Sequence, residues 1–225
     1  MFKDRTAAGR ELAGHLLRYR DQNPLVLALP RGGVPVAYEI ARALAAPLDI
    51  VVVRKLGAPG QPELGIGAVV DGDHPQAVFN PALMDELGVS KDYLEREVER
   101  ELKEVARRQA AYRGGRAPEQ AEGRTVIVVD DGIATGGSVQ AALRGIRRGR
   151  PKRLVLAVPV APPDTLELLR PEVDEIVCLA TPEPFGAVGS FYKNFEQTSD
   201  AEVVRLLDAA HEALSHSPGL PHSRG

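Results

Sequence analysis

Tryptophan is absent from this chain, cysteine occurs once, and only ten of the 225 residues are Phe or Tyr. A single cysteine rules out an internal disulfide framework, and Cys178 falls in an apolar stretch expected to be a strand, where a thiol behaves as an inert core group. No apolar run approaches the roughly 20 residues that a membrane-spanning helix needs. The opening Met1-Phe2-Lys3-Asp4-Arg5 does not begin a secretory leader, so the expected location is the cytoplasm, with no membrane partner. A formal net charge of −3 gives no bulk attraction to nucleic acid, and the basic clusters around Arg107-Arg108 and Arg144 to Arg153 read as solvated helix faces. The five histidines, at 15, 74, 211, 216 and 222, lack metal-ligand spacing, and no Gly-x-Ser-x-Gly elbow is present, which leaves no zinc site or serine hydrolase.

What the chain does contain is concentrated in Val126-Ile127-Val128-Val129-Asp130-Asp131-Gly132-Ile133-Ala134-Thr135-Gly136-Gly137-Ser138. Four apolar residues suit a parallel strand covered on both faces, and the two carboxylates fall at its carboxyl end, where open α/β sheets bind ligands. Ala134, Thr135, Gly136, Gly137 and Ser138 are small enough for backbone N–H groups to close around a phosphate at a helix start, with two hydroxyls as added donors. Carboxylates repel a phosphate they touch, so Asp130 and Asp131 suit sugar hydroxyls one or two bonds away. The block lacks the Lys-Ser/Thr ending of a Walker A loop and is not Gly-x-Gly-x-x-Gly.

A second apolar run, residues 25–29, leads into Pro30-Arg31-Gly32-Gly33-Val34-Pro35, a second anion-binding pattern in which the glycines permit close backbone approach and Pro35 suits a first helical turn. A third run, residues 48–53, ends in Arg54-Lys55, two cations suited to neutralising a leaving group. The segment after it, residues 55–65, is rich in Gly and Pro and reads as a mobile flap that would exclude water.

The thirteen-residue block resembles the signature of the type I phosphoribosyltransferases: four apolar residues, two acidic ones, then a small Thr-Gly loop. Gly132 departs mildly, since a larger apolar residue is usual there. The resemblance implies that Asp130 and Asp131 hold the ribose hydroxyls of phosphoribosyl pyrophosphate and that 134–138 wrap its 5′-phosphate. It further implies that Arg31, Gly32 and Gly33, with Arg54 and Lys55, meet the pyrophosphate, so that Asp130, Asp131, Arg31 and Lys55 are the catalytic candidates. The expected cofactor is magnesium carried mainly by the ligand's own oxygens, with no direct protein ligand. The acceptor is expected to be a small molecule, most simply a nucleobase. A non-catalytic sensor or regulatory protein that binds the same ligand is the alternative. Ala134 stands where members acting on 6-oxopurines often have an acidic residue.

The alternation of elements implies an α/β fold, a mainly parallel sheet flanked by helices, with right-handed crossovers. The expected order is helix 5–20, strand 25–29, helix 34–44, strand 48–53, a hairpin at 66–71 and 76–79 turning at Asp71-Gly72-Asp73, and helix 90–112. Strand 125–129, helix 137–148, strand 153–158, helix 163–170, strand 174–179 and helix 200–214 follow. Residues 1–214 then form one domain with its core at 25–179 and a helical insertion at 81–113, and 215–225 form a disordered tail. In the long helix Leu94, Val98, Leu102, Val105 and Gln109 form one stripe, which suits packing on the sheet better than a second copy of the chain in a homodimer. Four of the ten Phe and Tyr residues lie within 185–195, so 185–214 reads as a hood. There Phe191 or Tyr192 could stack on an acceptor, or the cluster could simply anchor the last helix.

Overall fold

The computed structural model describes residues 1–71 and 75–216. Two strands buried along their whole length, β1 (Pro24–Ala28) and β6 (Thr125–Val129), form the centre of a parallel sheet. Its order is β2-β1-β6-β7-β8, with β2 at Leu48–Ile50, β7 at Arg153–Val160 and β8 at Glu175–Ala180. Continuous Val/Leu/Ile runs suit strands covered on both faces. One face carries α1 (Arg5–Leu16), α2 (Gly33–Leu44) and α7 (Asp200–Ser215), whose Leu12, Ile40 and Val203 share a core with Val26 and Ile127. The other carries α5 (Gly137–Arg148) and α6 (Pro163–Leu169), packed on Val126, Val128 and Leu156. Where α1 crosses α2 the backbones nearly touch, and a Cβ at Gly9 would lie 2.7 Å from the Val36 carbonyl oxygen.

The register sets up the site. Ala28 pairs with Val129 across β1 and β6, so both strands stop side by side and the loops that follow, 29–32 and 130–136, emerge as neighbours at the carboxyl edge.

The expected strand 48–53 is in fact two. β2 ends at Ile50, Val51 still donates to the Ala28 carbonyl, and the chain then leaves for a separate antiparallel sheet. That sheet comprises β3 (Val53–Ala58), β4 (Gln61–Val70) and β5 (Gln76–Phe79) in the order β3-β4-β5. Val51 and Val52 are buried in the two different cores, so the apolar run continues through the change of sheet and periodicity cannot mark it.

The segment 55–65, expected as a loop, is the hairpin of β3 and β4. Gly60 takes φ +72° at its turn, and a Cβ at Gly57 would lie 2.7 Å from Pro62 Cα. Pro62 is tolerated because β5 pairs only with Gly67 to Val70, leaving the start of β4 without a neighbour on that side. The antiparallel pairing of 66–70 with 76–79 matches expectation, while Gly72 and Asp73 of its turn lie outside the described residues.

A short α3 (Pro81–Glu86) precedes α4 (Lys91–Arg113), which starts on a Ser90 cap and stops at Gly114 in the left-handed region. Its stripe packs on the antiparallel sheet and on α7, with Val105 fully buried beside Leu56 and Ile66. The first helix is shorter than 5–20, giving way to a 3-10 turn at Leu17–Tyr19. Ser215, expected in the tail, closes α7, and residues 217–225 lie outside the described part. Among the described residues no helix is long and apolar enough to cross a membrane.

Candidate active site

Asp130 and Asp131 directly follow β6, and the loop after them runs into α5 with Gly136 at the cap position, φ +78°. A glycine cap offers no side-chain acceptor, so the first-turn N–H groups of α5 have no partner from the cap or the helix. They face open space: a Cβ on Gly137 would meet nothing within 4 Å, and Ala134, Thr135, Gly137 and Ser138 are exposed. The loop is pinned from behind. Thr165 Oγ1 donates to the Ala134 carbonyl at 2.7 Å, and Ile133 N–H donates to the Val160 carbonyl at 2.9 Å. Gly132, the one departure in the motif, has a local cause, since a Cβ there would come within 2.5 Å of Val188 Cγ1.

The second loop leans on the acid pair. Leu29 N–H donates to the Val129 carbonyl at 2.9 Å, the Pro30–Arg31 peptide is cis, and Gly33 opens α2. A Cβ on Gly32 would lie 2.1 Å from Asp131 Oδ2, and one on Gly33 would lie 2.7 Å from the Val129 carbonyl oxygen. At Gly33 the obstacle is backbone and demands glycine, whereas at Gly32 it is the Asp131 carboxylate, which an added Cβ would displace; this contact between the two loops brings Arg31 to the same carboxyl edge. Arg31 is 38% exposed, with Nη1 3.7 Å from Asp200 at the start of α7.

The two carboxylates are not equivalent. Asp130 Oδ1 accepts the Asp131 N–H at 2.8 Å, and burial together with the adjacent Asp131 charge pushes the Asp130 carboxyl well above its ordinary range. Asp131 Oδ2 instead accepts from Arg5 Nε at 2.7 Å, in a pair whose side chains are only 12% and 14% exposed. Arg5 Nη1 also donates to the Glu196 carbonyl at 2.6 Å, and its guanidinium lies 3.9 Å from the centre of the Phe195 ring. Arg5 was not foreseen from sequence. It stands 126 residues before its partner, with no motif around it.

A family model, the phosphoribosyl transferase domain, matches residues 2–191. The chain belongs to this family. Two Mycobacterium tuberculosis relatives, from strains CDC 1551 / Oshkosh and ATCC 25618 / H37Rv, each bear the name "Putative phosphoribosyl transferase" and are 46% identical over 220 residues. The match takes in 98% of this chain but 49% of each relative, so the chain spans about half the length of the curated relatives it matches. The crystal structure of TT1426 from Thermus thermophilus superposes with a TM-score of 0.81 at 43% identity, covering 92% of this chain and 97% of that one.

Within this phosphoribosyl transferase domain the two cations of β3 part company. Side chains alternate along a strand. Lys55 lies on the α5 side, where it lines a cleft of about 360 Å³ together with Gly67, Phe79, Gly137, Ser138 and Arg144. Arg54 turns to α4 and pairs with Glu101 at 2.7 Å, a carboxylate only 5% exposed. Of the expected cationic pair only Lys55 lines this cleft beside Gly137 and Ser138; Arg54 pairs with Glu101 of α4.

The aromatic cluster also divides. Tyr192 is buried, packs between Phe2 and Phe195 at centroid distances of 5.5 and 5.1 Å, and donates its hydroxyl to the Asp131 carbonyl at 2.6 Å. It is thus packed and hydrogen-bonded within the protein, tying down the backbone at Asp131. Phe191 is half-buried against Phe185 at 5.1 Å.

Proposed function

We propose that this domain binds phosphoribosyl pyrophosphate and transfers its ribosyl 5-phosphate to an acceptor nitrogen, most simply that of a nucleobase, with release of pyrophosphate. The observation that carries this is the junction at the ends of β1 and β6. There an acid pair, an exposed helix start and a Gly-Gly loop bearing Arg31 adjoin at one carboxyl edge. The 5′-phosphate would sit on the N–H groups of 134–138, with Lys55 adding charge from the neighbouring cleft. The sugar hydroxyls would donate to the carboxylates of Asp130 and Asp131.

In the transfer, the bond from the sugar's anomeric carbon to the pyrophosphate oxygen breaks with its electron pair leaving on oxygen. The acceptor nitrogen's lone pair forms the new bond, and its proton passes to solvent. Positive charge develops on the ribose ring, where the carboxylates stabilise it, and Arg31 offsets negative charge on the departing group. The donor set fits a magnesium ion carried by the ligand rather than caged by protein. Two adjacent carboxylates, one of them already engaged by Arg5, form no cluster of three among the described residues. When bound, the metal would supply charge neutralisation to the pyrophosphate.

The test is calorimetric titration of phosphoribosyl pyrophosphate with and without magnesium, beside an Asp130→Asn/Asp131→Asn variant. A nucleobase panel read by pyrophosphate release would follow. Magnesium-dependent binding lost in the variant, followed by release with one acceptor, supports the transferase. Binding without release by any acceptor favours the sensor. A folded protein that binds neither this ligand nor ribose 5-phosphate overturns both.

A further inference from the structure

The N-terminal segment is built against the acid pair. Phe2 N–H donates to the Phe191 carbonyl at 2.8 Å, Lys193 N–H to the Phe2 carbonyl at 2.9 Å, and Asn194 N–H to the Lys3 carbonyl at 2.9 Å. Together with the rings of Phe2, Tyr192 and Phe195, this pairing already fastens the segment. Asp4 then caps α1 by accepting the Ala7 N–H at 2.7 Å, and Arg5 follows as the first helical residue.

That is an unfavourable place for a cation, because the helix dipole is positive there and the side chain is largely buried. Its compensation comes from the Glu196 carbonyl, the Phe195 ring and one carboxylate oxygen of Asp131. The terminal torsion of an aspartate is broad and roughly two-fold, so an untethered carboxylate swings. Arg5 fixes Oδ2, and the neighbouring Asp130 carboxyl lies within side-chain hydrogen-bonding reach of the same carboxylate. The same oxygen, Oδ2, also abuts Gly32, where an added Cβ would lie 2.1 Å from it.

Resting on the ribose-phosphate reading above, we propose that Arg5 is a positioning residue for sugar recognition. It clamps Asp131 through Oδ2 so that the carboxylate is held in one orientation for a ribose hydroxyl. The backbone pairing of 2–3 with 191–194 and the face of Phe195 hold Arg5 in turn. The first five residues are thereby a working part of the site, acting through a carboxylate that the sequence motif alone would describe as complete.

The experiment compares wild type with Arg5→Ala, Arg5→Gln, Asp131→Asn and the Arg5→Ala/Asp131→Asn double variant. Each is titrated with ribose 5-phosphate, phosphoribosyl pyrophosphate and inorganic pyrophosphate, with thermal unfolding run alongside. Loss of a charge-assisted contact should weaken both sugar ligands about tenfold in Arg5→Ala. Inorganic pyrophosphate, which carries no hydroxyl for Asp131, should bind within about twofold of wild type on the same reasoning. In the Asp131→Asn background the Arg5 effect on sugar should vanish, because the group being positioned is altered. If Arg5→Ala does not fold, Arg5→Gln, which keeps the stem as far as Nε but removes the charge and the Nη contacts, carries the same comparison.

Tighter sugar binding in the Arg5 variants would overturn the proposal by making Arg5 a competitor of the sugar. Equal loss for all three ligands would reduce Arg5 to a structural tie, and additive losses in the double variant would separate it from Asp131. A wild type that binds neither sugar ligand would instead remove the ribose-phosphate reading, and this proposal with it.

Discussion

Replacing Arg113 by Met removes the cation at the junction of the two sheets. Its guanidinium donates to Asp49 Oδ1 at 2.8 Å, to Asp71 at 3.1 Å and to the Ile50 carbonyl at 3.0 Å, and the three side chains are 7%, 7% and 0% exposed. Methionine fills much of the same space but leaves two carboxylates buried with no counter-charge. Breaking a buried pair from one side costs about 3–5 kcal/mol, and two orphaned acids place this case toward the upper end. For a domain of this size that corresponds to a midpoint lowered by roughly 10–20 °C.

Burial pushes the Asp71 carboxyl above its ordinary value of 3.8, Arg113 opposing that only in part. A carboxyl raised by folding favours the fold below its ordinary value, and that contribution is lost as pH rises through the folded-state value. Removing Arg113 raises Asp71 further, so the variant should lose stability with rising pH more steeply than wild type. Urea unfolding at about pH 7 and about pH 4 tests this, with the gap expected to be largest at neutral pH and to narrow in acid. A cost under about 1 kcal/mol at neutral pH, or a gap that does not change with pH, would refute the reasoning.

Gly32→Ala should abolish ribose 5-phosphate binding while the fold survives, because the added Cβ meets the movable end of Asp131 at 2.1 Å rather than backbone; calorimetry beside circular dichroism checks it, and retained affinity would dissociate the two loops. Asp130→Asn should raise the thermal midpoint at neutral pH while weakening sugar binding. Asp130 is raised by burial and by Asp131, so it favours the fold below about 3.8 and disfavours it as pH climbs through its folded-state value. The variant's advantage should therefore disappear toward pH 4, and a midpoint lowered at every pH would count against it.

Much of this arrangement is legible in the chain because its causes are local. The apolar runs before Asp130 and Pro30 are long enough to be strands covered on both faces, and small residues must follow wherever backbone closes on an anion. Gly32 and Gly33 could be read as close-approach positions, although what they approach, Asp131 and the Val129 carbonyl, could not. The hairpin at 55–65 was hidden because Pro59, Gly60 and Pro62 signal a break whether the chain turns tightly or loops widely.

The sequence by itself determined which residues could carry the chemistry: the strand-acid-acid-small-loop order and the parallel alternation that brings it to a carboxyl edge. The tertiary structure alone decided which of them are free to act. It sends Arg54 to Glu101 and Lys55 to the cleft beside Gly137 and Ser138 through the pleat of a strand whose sheet the sequence did not assign. It packs Tyr192 against Phe2 and Phe195 and brings Arg5 onto Asp131 from the far end of the matched region. Backbone chemistry is written in neighbouring residues, whereas the partner of a charge is set by packing between distant segments, 47 positions apart for Arg54 and Glu101 and 126 for Arg5 and Asp131, where no local pattern records it.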